Sequence, residues 1–119
     1  MSAVSIQEES KKFALRVIKL YSYLTTEKKE FVLSKQILRC GTSIGANVRE
    51  SKNAQSTPDF LSKISIALKE ADETQYWLEL LYESGYLSED QFNSIYNDSK
   101  LIVGTLVNIV KNIKDNIKK

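Results

Sequence analysis

Between Phe60 and Leu81 the chain keeps a strict beat of four and three: Phe60, Ile64, Ala67, Ala71, Thr74, Leu78, Leu81. A spacing that averages 3.5 residues is one face of an α-helix packed on other helices; a strand, with period two, cannot carry it. Three further segments share the beat. Ile6, Phe13, Val17, Leu20 and Leu24 mark the first, with Ser10 in its gap. Leu33, Ile37, Ile44 and Val48 mark the second, and Phe92, Ile95, Ser99, Ile102, Leu106, Ile109 and Ile113 the fourth. No alternating run of strand length competes with them.

The ends of these segments carry their own signals. Ser5 with Glu8, and Ser88 with Gln91, have the S-x-x-E/Q spacing of a capping box. Thr57 is placed to cap the third helix, with Pro58 at its first position and Asp59 at the positive end of its dipole. Gly85 fits a left-handed stop, with Tyr86 closing over Leu81. The sequence therefore predicts helices over about 5–24, 30–54, 58–84 and 89–117. Short links make successive helices antiparallel, and wide apolar stripes need partners. The expected fold is all-α: one domain, residues 1–119, an up-down-up-down four-helix bundle with shallow left-handed crossing.

Composition narrows the chemistry. There is no His and a single Cys among 119 residues. That removes Ser-His-Asp and Cys-His nucleophiles, His-ligated zinc or haem, the E-x-x-H di-iron site of helical bundles, and any intramolecular disulfide. No glycine-rich phosphate loop and no G-x-S-x-G occur. The acidic residues of the third helix, Glu70, Asp72, Glu73, Glu79 and Glu83, are spaced so that most face outward as solvated carboxylates. The expectation is no enzyme, no cofactor, no metal and no small-molecule substrate. The N-terminal residues lack the basic start and apolar run of a secretory signal, and no apolar stretch is long enough for a membrane helix. A cytoplasmic location is expected, with Cys40 a small buried residue.

Three features remain. The fourth helix has a second apolar row, Tyr96, Val103, Val110 and Ile117, matched on the third by Leu61, Leu68, Gln75 and Tyr82. This row either widens the core or meets another subunit; a homo-oligomer interface is the expectation. The second helix carries Gly41 and Gly45 on one face, for tight helix packing or a bend or, alternatively, a groove for a ligand or nucleic-acid backbone, beside a small and polar stripe of Gln36, Cys40, Ser43, Asn47 and Glu50. If that stripe is buried, Glu50 needs Arg39 or another cation. Charge is also uneven. Residues 31–56 hold four basic and one acidic residue, whereas residues 57–87 hold two and six. Lys35, Arg39 and Arg49 fall within one quadrant of the second helix, a candidate nucleic-acid face, and Lys111, Lys114, Lys118 and Lys119 form a basic tail.

The run Gln36-x-x-Arg39, then Ser43-Ile44-x-x-Asn47-Val48-x-Glu50, resembles the motif of the bacterial four helix bundle protein family, which includes proteins encoded by intervening sequences within large-subunit ribosomal RNA genes. Ile66-Ala67-Leu68-Lys69-Glu70-Ala71, Glu73, Trp77-Leu78 and Gly85-Tyr86-Leu87 are similar to its third helix and turn. The resemblance runs from about Phe13 to Ile113. It departs at Gly45 and Ser51, where the family usually has Pro and Gly. The resemblance implies a cytoplasmic homopentameric ring with no catalytic residues; a similar branch, the accessory proteins of diversity-generating retroelements, binds nucleic acid and a reverse transcriptase. The expected function is thus a non-enzymatic oligomeric bundle that binds RNA, DNA or a ribonucleoprotein. The alternative is a protein-interaction scaffold of a mobile element without nucleic-acid contact.

Overall fold

A computed structural model describes residues 3–118, with side chains from 6 to 117. It contains four helices: α1 (Ala3–Thr26), α2 (Leu33–Ser51), α3 (Thr57–Glu83) and α4 (Glu89–Lys118). They form an all-α four-helix bundle measuring 51 × 22 × 20 Å. Residue pairings fix the directions. Along α2, Gly41 meets Val17 and Gly45 meets Ser10, so α1 runs the opposite way. Arg39 pairs with Glu73 while Glu50 pairs with Lys63, which sets α3 antiparallel to α2. Gln75 bonds Ser99 and Glu79 bonds Tyr96, which does the same for α3 and α4. The ring closes where α1 meets α4, the loosest of the four seams.

Most residues that keep the four-three beat are buried, and others, such as Leu20, Leu33, Phe60, Phe92 and Ile109, pack half-buried against them. Ile6, Phe13, Val17 and Leu24 of α1 meet Ile37, Ile44 and Val48 of α2, then Ile64, Ala67, Ala71, Leu78 and Leu81 of α3, then Ile95, Ile102 and Leu106 of α4. Fully burying a side chain of this size stabilises by about 1.5–3 kcal/mol, which is why periodicity, more than propensity, decides the fold. Ser10, Thr74 and Ser99, which fill gaps in the beat, are also fully buried. Each hydroxyl has a partner: Ser10 donates to the Gln7 carbonyl, Thr74 to the Glu70 carbonyl and the Cys40 sulfur, and Ser99 to the Tyr96 carbonyl.

The helix ends correct several expectations. α1 starts at Ala3, so Ser5 lies inside the helix instead of capping it; its side chain is outside the described residues. The cap of α3 is Ser56, one residue before the expected Thr57, and its hydroxyl accepts the Asp59 N–H at 3.1 Å. α2 is shorter than 30–54 at both ends. Its start is set by Glu30, whose carboxylate accepts the N–H groups of Val32, Leu33 and Ser34 at 2.7–3.0 Å. Ser88 and Gln91 do form their reciprocal box. Gly85 adopts φ +87°, and the N–H groups of Tyr86 and Gly85 bond the Leu81 and Tyr82 carbonyls, the paired bonds of a Schellman stop.

Candidate nucleic-acid interface

The glycines of α2 determine how the surface above them is built. A Cβ at Gly41 would lie 2.8 Å from both γ-carbons of Val17, and one at Gly45 would lie 3.3 Å from the Ser10 carbonyl oxygen. Both glycines thus serve close approach of α1 and α2. Beyond this contact, Lys35, Arg39 and Arg49 all emerge exposed on the outer side of α2. They differ in company. Among the described residues, Lys35 and Arg49 take part in no ion pair or hydrogen bond. Arg39 is held against α3 instead: its guanidinium donates to the Glu73 carboxylate and lies 3.5 Å from Glu70.

Glu73 also accepts the Trp77 indole N–H at 3.2 Å. The Glu70 Oε2 atom is buried and accepts no hydrogen bond among the described residues, so Arg39 supplies its nearby charge through space. Glu70 and Glu73 are therefore drawn into the α2/α3 seam, not left as solvated outward carboxylates. The signal for this was available: Glu70, Glu73 and Trp77 at i, i+3 and i+7 share one flank of α3. What the sequence could not show was which residue of α2 stands opposite. Behind this cluster, burial pushes the Cys40 thiol up to about 11, against a smaller lowering by the Thr74 hydroxyl, so at neutral pH it is an unreactive thiol.

The polar stripe of α2 does not act as one buried network. Gln36 is exposed. Ser43 and Asn47 are half-buried and satisfy each other, the Asn47 amide donating to the Ser43 carbonyl at 2.9 Å and hydroxyl at 3.1 Å. Glu50 is exposed and pairs with Lys63 at 3.2 Å, not with Arg39.

On α4 the second apolar row divides. Tyr96, Val103 and Val110 are half-buried and pack on the core, whereas Ile117 stays 58% exposed. Tyr96 packs at a tilt on Phe92, which stacks on Tyr82, closing the α3/α4 seam. Its hydroxyl donates to Glu79 at 2.8 Å; burial, and then that bond, raise its pKa. The row thus widens the core over most of its length. Of the basic tail, Lys111 and Lys114 are exposed, and the side chains of Lys118 and Lys119 lie outside the described residues.

Sequence reasoning missed one cation. Lys11 of α1 lines, together with Arg49, a groove of about 310 Å³ between α1 and α2, along with Gln7, Ala14, Thr42, Gly45 and Ala46. No group of three or more His, Cys, Asp or Glu among the described residues is placed to hold a metal ion. No helix among them is long and apolar enough to cross a membrane.

Comparison with known proteins agrees with the fold. A solved structure from Bacteroides thetaiotaomicron VPI-5482, described as a protein with unknown function from the S23 ribosomal protein family, superposes with a TM-score of 0.92. It is 53% identical in sequence, and the match covers 93% of this chain and 99% of that one. No curated protein matches. The family model described as 23S rRNA-intervening sequence protein matches residues 3–108, nearly the full span of the bundle, and the chain belongs to that family.

Proposed function

We propose that this protein is a non-enzymatic, self-associating helical bundle that binds nucleic acid or a ribonucleoprotein through its α1/α2 side, assembled as a homopentamer. The observation that carries the reading is the pair Lys35 and Arg49, exposed on one side of α2 and free of any carboxylate partner among the described residues. A cation already paired has little to offer a phosphate; a free one releases counterions on contact and contributes affinity. The family description, which names a ribosomal RNA intervening sequence, supports RNA as the first nucleic acid to test. Ile117, Leu101 and Val107 on α4, and Leu15 and Ile18 on α1, leave exposed apolar surface that suits self-association.

The test is fluorescence anisotropy with labelled RNA at low and at physiological salt, together with light scattering. Binding should weaken steeply with salt and fall when Lys35, Arg39 and Arg49 are all changed to Glu. Undiminished binding by that variant would move the interface elsewhere. A monomer at micromolar concentration would remove the assembly half. The second reading, a protein-interaction scaffold, is favoured by the acidic surplus of α3 and by the neutralised Arg39. No RNA or DNA binding even at low salt would establish it over the first.

A further inference from the structure

We propose that the groove between α1 and α2, at the level of Gly45, is a seat for a backbone phosphate of a nucleic-acid strand, gripped by Lys11 from one wall and Arg49 from the other. This rests on the nucleic-acid reading above and gives it a site.

The approaches of Gly45 to Ser10 and Gly41 to Val17 bring Gln7, Lys11 and Ala14 of α1 alongside Arg49, Ala46, Gly45 and Thr42 of α2, in opposite directions. Each set is spaced at i, i+3 or i+4, and i+7, so each forms one wall of a trough. Ala14, Gly45 and Ala46 are small and leave its floor low. At its edges stand a lysine, an arginine and a glutamine amide. No carboxylate lines it. The wider hollow between α1 and α4 includes Asp90, and the one between α3 and α4 includes Asp115. A phosphodiester is small, anionic and surrounded by acceptor oxygens; two cations and an amide donor lining one groove suit it, and nearby carboxylates would repel it.

Neither Lys11 nor Arg49 takes part in an ion pair or hydrogen bond among the described residues, so neither must give up a protein partner to meet a phosphate. Arg39, on the same outer side of α2 but turned towards α3, is shared with Glu70 and Glu73. Of the two arginines, the unpaired Arg49 lines the groove with α1, whereas the paired Arg39 is turned to α3.

The experiment uses the full chain and a fluorescein-labelled oligouridine, titrated by anisotropy over a range of salt. Three variants are compared, each first checked for an unchanged helical melt: Lys11→Gln with Arg49→Gln, Lys35→Gln, and Ala46→Trp. Ala46→Trp alters no charge but fills the trough. The expected result is about a tenfold or greater loss for the double variant, with the salt slope shallower by about 0.7 per lost phosphate contact. A loss of similar size is expected for Ala46→Trp, and a smaller one for Lys35→Gln. If wild type binds but Ala46→Trp binds as well as wild type, the trough is not the seat, while the wider nucleic-acid reading stands. If wild type fails to bind the oligonucleotide at the lowest salt, both fall; binding of poly-glutamate under the same conditions would then identify the groove as one for acidic protein segments.

Discussion

Glu30 shows how much one side chain can settle. Its carboxylate accepts three successive backbone N–H groups at the start of α2, and Lys29 before it takes φ +54° to bring it there. Burial alone would raise its pKa; the bonds from Leu33, Ser34 and Val32 outweigh that and hold it below the usual 4.5. The sign of the pH dependence follows. A carboxyl with a depressed folded pKa binds its proton more readily in the unfolded chain. Its contribution is therefore complete above the ordinary value and is lost as pH falls through the lower, folded one. Glu30→Gln should cost about 1–2 kcal/mol near neutral pH. It should also flatten the acid limb of stability against pH, as measured by urea unfolding between acid and neutral conditions. Nothing in the sequence marked Glu30 as a cap, because capping signatures are written for Ser, Thr, Asp and Asn at the residue directly before a helix, whereas Glu30 reaches forward from three residues before Leu33.

Helices, by contrast, were legible almost whole. Their apolar beat is a local record of which side faces the core, and burial then enforces it. The boundaries were not legible to the residue, since Ser56 and Thr57 are equally good caps in sequence and only the backbone chooses between them. The two glycines of α2 had two readings, and a third glycine separates space from flexibility. At Gly104, in the interior of α4, a Cβ would meet nothing within 4 Å, whereas at Gly41 it would meet Val17 at 2.8 Å. Gly104→Ala should stabilise by up to about 1 kcal/mol through helix propensity alone. Gly41→Ala gains the same propensity but overpacks the core, and should be destabilising by about 1–3 kcal/mol. In a double-mutant cycle, Val17→Ala should remove most of that penalty; an unchanged penalty in urea melts would mean that Val17 is not the obstruction. The candidate interface was only half legible at this scale. Lys35, Arg39 and Arg49 could be placed on one side of α2 by counting, but the partner helix that occupies Arg39, and the one that contributes Lys11, are set by tertiary register.

Across the molecule the four seams are unequal. α1 meets α4 most loosely, and Arg16 bridges them, donating to the Ser94 carbonyl and hydroxyl at 3.1 and 2.8 Å and to Asp98 at 2.6 Å. Both charged side chains of that pair are more than a third exposed, so the bridge is worth little in global stability, on the order of 0.2–1 kcal/mol. Its effect should be local. Arg16→Met should hasten amide exchange in α1 and α4 while leaving α2 and α3 protected; equal loss in all four helices would mean the seam opens only with the whole bundle. The three close seams join helices that follow one another in the chain, and only the loose one joins its first helix to its last. Each hairpin can therefore form from its own neighbourhood, without waiting for distant segments to meet. The entropy of closing long loops is deferred to a final, weakly held step. Such low contact order is the condition for fast, sequential folding, with α1–α4 closure as its last event.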